Sequence, residues 1–264
     1  MSELIFSRAR RRLIRARAMA APADSHWLLD RMAEELVDRL SFLTLDIRQA
    51  LVFGHGGAQL RPHLPSGATL SRCDLDNGPG VDLVAEEDRL PLADASQDLI
   101  LACGTLDNID DLPGALILIR RALRPRGLFL GAIMGAGSLG QLRTRLQTAE
   151  ADVTGQMALR FHPQIDVRSA GDLLFRAGFS TPVADQEDIT VSYSSWSRLR
   201  ADIRGTGISN ALHTCQPLPR NVAHRLLAEA TTDTWPEQFS PIYLTGWAPS
   251  AGEHRPAGPV KSIF

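Results

Sequence analysis

Short apolar runs alternate along this chain with segments of helical period, in the order that builds a parallel sheet. The clearest unit lies between Asp98 and Arg143. Asp98–Cys103 is a short apolar run of the kind found when helices cover both faces of a strand. Asp110-Asp111-Leu112-Pro113 then offers a capping carboxylate and a first-turn proline, and Leu116, Ile119, Ala122 and Leu123 fall on one helical face. The run Leu123-Arg-Pro-Arg-Gly127 is expected to break that helix before a second strand over Leu128–Met134. Parallel strands need such a crossover.

The same pattern places strands at Gln49–Phe53, Ala68–Asp74 and Val81–Ala85. Leu28, Met32, Leu36 and Leu40 recur at helical spacing after Asp24-Ser25, and Leu139, Leu142, Leu146 and Ala149 mark a helix over 138–149. Ser169–Ala177 reads as a further helix, turning at Gly178-Phe179 into a sixth strand that is expected to continue through Asp188–Tyr193. The stretch 194–230 reads as helical and broken by Gly205, Gly207 and Pro217-Leu-Pro219, and Pro241–Trp247 as a last, antiparallel strand. A tail rich in Gly and Pro follows Ala248 and is expected to be disordered.

Composition narrows the class. With 264 residues and 44% hydrophobic content the chain can fill the core of one large α/β domain, and a net charge of -2 argues against bulk attraction to nucleic acid. Of the 28 basic side chains 27 are arginine, and six of them, Arg8, Arg10, Arg11, Arg12, Arg15 and Arg17, crowd the first twenty residues with only Glu3 for company. That segment is open to three readings: an Arg-rich transit peptide, a basic patch for RNA or anionic lipid, or a helix of the mature fold, which the sequence favours. Cys73, Cys103 and Cys215 are widely spaced and read as reduced core residues, which suits the cytoplasm. The seven histidines make no ligand spacing, so no metal is expected, and no apolar run is long enough to span a bilayer.

One loop carries candidate chemistry. Gln49–Phe53 runs into Gly54-His55-Gly56-Gly57-Ala58, where glycines after a parallel strand let the backbone turn tightly and approach a ligand. A carboxylate closing the next strand, Asp74 with Asp76 close behind, lies about 20 residues past the glycines, where an acid can accept hydrogen bonds from both ribose hydroxyls of an adenosine. It can also simply end a strand in a turn. With these parts in this order, the chain resembles the class I S-adenosylmethionine (SAM) dependent methyltransferases. Asp111-Leu-Pro, the Leu-Arg-Pro turn, Gly131-Ala132, Ser138-Leu139 and Leu142-Arg143 narrow the resemblance to the group of the complex I assembly factor arginine hydroxylase, the biotin-pathway methyltransferase and their bacterial relatives.

The resemblance, which extends from about Ile5 to Trp247, implies a Rossmann-like, seven-stranded, mostly parallel sheet flanked by helices. It implies a single domain over 1–249, with N-terminal helices at 1–48, a cofactor-binding core at 49–135, a cap insertion at 194–230 and a tail at 250–264. SAM would be the cofactor, held by Gly54, Gly56, Asp74 at the ribose, Glu86 at the adenine and Leu106. The helix around Leu28–Leu40 corresponds to one that relatives often lay over the cofactor as a lid; by its pattern it is merely a packed helix. Tyr193, Trp196, Arg200 and Asp107 are the groups expected on the substrate side.

Several polar positions depart from the family pattern. The acidic residue before the glycines is Val52, the last glycine is Ala58, and Asp107-Asn108 stands where relatives carry His-Trp. Asp107 can be a general base or a helix cap, and no catalytic residue is assigned. Two readings therefore stand. One is a SAM-dependent methyltransferase acting on a small molecule or on a protein such as a respiratory-chain subunit, by methylation or by arginine modification. The other is a non-catalytic assembly protein with a degenerate pocket. Either would work in the bacterial cytoplasm, or in the mitochondrial matrix if the chain is eukaryotic.

Overall fold

Buried apolar strands alternating with amphipathic helices fold, in the computed structural model, into one seven-stranded sheet with helices on both faces, and residues 4–229, 234–250 and 252 are described. Most of the tail expected to be disordered lies outside them. The strands are β1 (Gln49–Gly54), β2 (Thr69–Asp74), β3 (Leu83–Val84), β4 (Gln97–Cys103), β5 (Leu123–Met134), β6 (Ser180–Gln186) and β9 (Pro241–Trp247), in the spatial order β3-β2-β1-β4-β5-β9-β6. All neighbours are parallel except β9, which runs antiparallel to both β5 and β6. The chain order reverses between β1 and β4, so the carboxyl ends of those strands flank the crevice where doubly wound sheets bind ligands.

Alternation along the strands divides the core in two. Ala50, Val52, Leu99, Leu101, Cys103, Leu128 and Leu130 face one helical layer, formed by α2 (Trp27–Asp38), α5 (Gly140–Thr154) and α7 (Trp196–Thr206). Leu51, Phe53, Ile100, Ala102 and Phe129 face the other, formed by α4 (Leu112–Ala122) and α6 (Val167–Arg176). α4 starts as its sequence demands: Asp111 Oδ1 accepts the Gly114 amide at 2.8 Å, and Pro113 occupies the first turn, where no helical donor is needed.

Three expectations need correction. Leu123-Arg-Pro-Arg-Gly127 ends α4 but belongs to β5: Gln97 pairs with Leu123 and Leu99 with Leu128, and the register shift between them absorbs the extra residues. The sixth strand does not continue to Tyr193. β6 stops at Gln186, and β7 (Ile189–Tyr193) leaves the main sheet to pair antiparallel with β8 (Trp235–Phe239), whose Trp235 packs on Trp196 of α7 and whose Phe239 packs on Trp27 and Tyr193. Gly205 does not break a helix but lies inside α7, where a side chain would strike the Ser25 carbonyl; α7 ends instead at Gly207, in the left-handed conformation. α8 (Arg220–Glu229) packs on α5.

The arginine-rich start is the helix α1 (Arg8–Met19), capped by Ser7, which accepts the Arg10 amide. Its buried stripe is Arg11, Ile14, Arg15 and Ala18, the one-face spacing of a packed helix, but with guanidinium groups in half of the positions.

Candidate functional site

The carboxyl edge of β1 carries the glycine loop. Gly54 and Gly56 both adopt positive φ, +81° and +112°, and a Cβ on Gly54 would collide with the Cys103 carbonyl and the Thr105 methyl group. Only glycine lets β1 turn here and bring its backbone against β4, where the His55 amide bonds the Cys103 carbonyl at 3.0 Å. The helix that follows, α3 (Gly57–Leu60), is a single turn with the exposed Ala58 in it. Val52 is fully buried in the apolar layer beneath α2, so the position that relatives give to an acid has become part of the core.

Asp74 ends β2 with no exposed surface. Glu86 and the fully buried Glu87 follow β3. These carboxylates converge on one edge, and α1 lies across them. Arg15 Nε donates to Asp74 Oδ1 at 2.9 Å and to Oδ2 at 3.1 Å, and its Nη2 donates to Oδ2 at 2.9 Å. Asp74 Oδ1 also accepts the Leu75 amide. A Cβ on Gly54 would lie 3.4 Å from Arg15 Nη2, so the guanidinium sits directly over the glycine turn. One turn earlier, Arg11 donates to Glu87 Oε2 at 3.0 Å, to Asn108 Oδ1 at 2.8 Å and to the Thr105 carbonyl at 3.2 Å. Arg12 reaches Glu86 Oε1 at 2.8 Å, and Arg8 pairs with both Glu86 and Asp88.

The geometry suits an adenosine-bearing ligand. Arg15 presents two parallel donors to the Asp74 carboxylate, as the vicinal hydroxyls of a ribose would, and the glycine turn adds no side chain of its own there, so the Arg15 guanidinium fills the space between that carboxylate and the end of β1. Burial raises the Glu87 carboxyl above its ordinary range, with Arg11 the charge that opposes the rise.

Of the residues expected to bind a cofactor, Gly54, Gly56, Asp74 and Glu86 meet at this edge. Leu106 does not: its side chain packs into the core on the α4 and α6 face, against Gly131 and among Ile109, Leu112 and Phe129. The element over the carboxylates is α1. α2 is the packed core helix that its pattern predicts, with Ala33 closing on Gly56 and Asp30 bonded to His55 at 2.7 Å. The sequence reading missed the arginine partners. The facing signals were present in the surplus of positive charge at 8–17 and the run Glu86-Glu87-Asp88.

The 3-10 turn Leu106–Asn108 joins this edge to a second feature. Asn108 faces Arg11, while Asp107 accepts the Met134 amide at the end of β5, and burial lifts its carboxyl to about 6. Met134 in turn lines a groove of about 240 Å³ shared with His162, Trp196, Arg200, Arg204 and Asn210. Among the described residues no carboxylate lines this groove. His162 is buried and held neutral, its pKa lowered to about 4 by desolvation and by Arg143. Trp196 and Arg200 line this groove, whereas the Tyr193 hydroxyl is committed to Asp202, as is the Trp27 indole.

Residues 64–131 match the family described as "Methyltransferase domain". The chain is 29% identical over 255 residues to the mitochondrial arginine-hydroxylase NDUFAF5 of Mus musculus, covering 89% of this chain and 74% of that protein. It is 32% identical over 169 residues to the malonyl-[acyl-carrier protein] O-methyltransferase of Xylella fastidiosa, covering 61% and 55% respectively. Among solved structures, YcgJ of Bacillus subtilis superposes with a TM-score of 0.55 at 12% identity, over 84% of this chain and 99% of that one. A methyltransferase candidate from Bacillus halodurans gives the same TM-score at 11% identity, over 82% and 99%. At such identities these likenesses are of fold.

Proposed function

Because the chain belongs to the class I SAM-dependent methyltransferase superfamily, we propose that it methylates an anionic acceptor admitted through the groove beside β5, with SAM seated between the glycine turn and the Asp74 and Glu86 carboxylates. SAM is its cofactor and supplies a methyl group already activated on a sulfonium leaving group. Gly54 and Gly56 would admit the cofactor's backbone approach, Asp74 would accept from the ribose and Glu86 from the adenine amino group. What remains for the protein is to orient the acceptor and exclude water. No general base is assigned.

The observation that carries the choice of acceptor is the charge of the groove. Arg200 and Arg204 stand in its wall with a neutral His162, and Arg160, which also lines it, is matched by Glu150 behind it. A guanidinium entering here would meet like charge, whereas a carboxylate or phosphate would be attracted. This favours an acceptor of the kind named for the acyl-carrier-protein methyltransferase over the arginine of the NDUFAF5 relatives. The acceptor can be small or borne on a protein, and the bacterial cytoplasm is the compartment that fits this reading. No helix among the described residues is long and apolar enough to cross a membrane.

Incubation with methyl-labelled SAM and two acceptors, an acyl-carrier-bound dicarboxylate and an arginine-containing peptide, tests the proposal. Base-labile label on the dicarboxylate supports it. Label on the peptide, or on neither, contradicts it.

A second reading, a non-catalytic assembly protein, draws on a specific observation: every carboxylate that would hold the cofactor is already paired with an arginine of α1, and Val52 and Asn108 have left the family pattern. The two readings part on whether α1 yields to SAM.

A further inference from the structure

We infer that α1 is a built-in competitor for the cofactor: Arg15 and Arg12 occupy the carboxylates that SAM needs, and cofactor binding requires α1 to leave them. This rests on the cofactor reading above, and adds to it a residue-level determinant of affinity. Asp74 cannot serve both partners fully: Arg15 and the Leu75 amide direct three N–H hydrogens onto a carboxylate with about four lone-pair sites, leaving fewer than the two sites that a pair of ribose hydroxyls needs. Nor can the ligand sit beside the arginine, since the guanidinium lies over Gly54 and within 3.8 Å of where a Gly104 side chain would begin. Glu86 is held more loosely: the half-exposed Arg12 donates to Oε1 at 2.8 Å, and Arg8 pairs with the other oxygen.

The departures from the family pattern fit this role. Asn108, at a position where relatives carry an aromatic, supplies the carbonyl oxygen that Arg11 needs. Asp110 accepts the amides of Ile5 and Phe6 at 2.8 and 3.0 Å, fixing the start of α1 from below. Thus the loop 105–110, the carboxylates and the helix are matched to one another, and the matching is to arginine.

Release of α1 would also reach the acceptor groove. The segment before α1 is bonded to the cap loop: Ser7 donates to the Ala211 carbonyl, His213 donates to the Ile5 carbonyl, and Phe6 pairs with Leu212. Ile208, Ser209 and Asn210, just before that bonded stretch, line the groove. Movement of α1 therefore pulls on one wall of the acceptor site, so cofactor admission and acceptor access are coupled. When a binding-competent form is only fractionally populated, apparent affinity falls by that fraction.

Titration calorimetry with SAM, on the full chain and on the Arg15→Gln and Asp110→Ala variants, tests this together with amide hydrogen exchange of residues 8–19 with and without S-adenosylhomocysteine. Asp110→Ala loosens α1 without touching a cofactor carboxylate, and so covers the case in which Arg15→Gln fails to fold. The expected result is SAM binding at least tenfold tighter in either variant, and faster exchange in α1 of the unaltered chain when S-adenosylhomocysteine is added. Equal or weaker binding in the variants, with α1 protected by ligand, would overturn the inference while leaving the cofactor assignment standing. Absence of binding in all three proteins would sink the cofactor assignment itself, and the competition with it.

Discussion

Replacing Arg11 with methionine isolates the most deeply buried of the α1 ion pairs. Arg11 is 4% exposed and Glu87 not at all. The substitution keeps the apolar stem and deletes the donors to Glu87, Asn108 and the Thr105 carbonyl. Two costs follow, and they differ in pH dependence. The lost hydrogen bonds to Asn108 and Thr105 weigh about 1–3 kcal/mol at any pH. The uncompensated Glu87 charge brings the total to about 3–5 kcal/mol near neutrality, the usual penalty for breaking a buried pair from one side. Burial already raises the Glu87 carboxyl, and removing Arg11 raises it further. An acid whose folded pKa lies above its unfolded value costs stability as pH rises towards that folded pKa, and both proteins share this cost until Glu87 ionises in the parent. The second cost is therefore absent below the parent's folded pKa and grows by about 1.4 kcal/mol per pH unit above it until the variant's folded pKa is passed. Urea denaturation of both proteins at pH 5 and pH 8 measures this. The variant should be more destabilised at pH 8, and a second change, Glu87→Met, should restore most of the pH-dependent part. A loss below about 1 kcal/mol, or one identical at both pH values, would refute the claim that α1 is docked by buried charge.

The order of strands and helices was legible because the strands of the main sheet are bounded by turn residues and most long helices, α1 excepted, have an apolar stripe. β1, β2, β4 and β9 fall within a residue or so of where the pattern puts them. What failed was local. The run Leu123-Arg-Pro-Arg-Gly127 has the composition of a turn, yet the backbone passes through it in extended form because Gln97 pairs with Leu123 and only Arg126 takes a positive φ. Asp188–Tyr193 alternates like a continuing strand, and nothing local says that it leaves the main sheet to pair with β8. In the site, the glycines and acids were legible through spacing. The arginines were visible as a cluster, but their role was not, since the pairing of Arg15 with Asp74 spans 59 residues and depends on how α1 docks. For Leu106 the chain position carried no information on the direction of its side chain, which turns into the core.

Further outcomes follow from the same geometry. Gly54→Ala should destabilise the fold by about 1–3 kcal/mol in thermal or urea denaturation, since the residue must hold a positive φ against the Cys103 carbonyl; an unchanged midpoint would contradict the strained turn. Glu237 is 1% exposed, with its carboxyl lifted to about 7 by desolvation, and therefore costs stability as pH rises from about 4 to 7; Glu237→Gln should match the parent near pH 4 and exceed it by about 2–4 kcal/mol at pH 8, and equal stability at both would argue against a buried carboxyl. The His162 ring should titrate by NMR with a midpoint near 4, and a midpoint near 6.5 would mean that the groove wall is solvated.

A crystal structure of the chain grown with S-adenosylhomocysteine tests the central assignment most directly. The adenosine is expected at the carboxyl edge of β1 and β2, its ribose hydroxyls on Asp74 and its amino group toward Glu86, with Arg15 withdrawn from Asp74 and Arg12 from Glu86. Ligand bound elsewhere, or none bound and Arg15 still on Asp74 at saturating concentration, would contradict it.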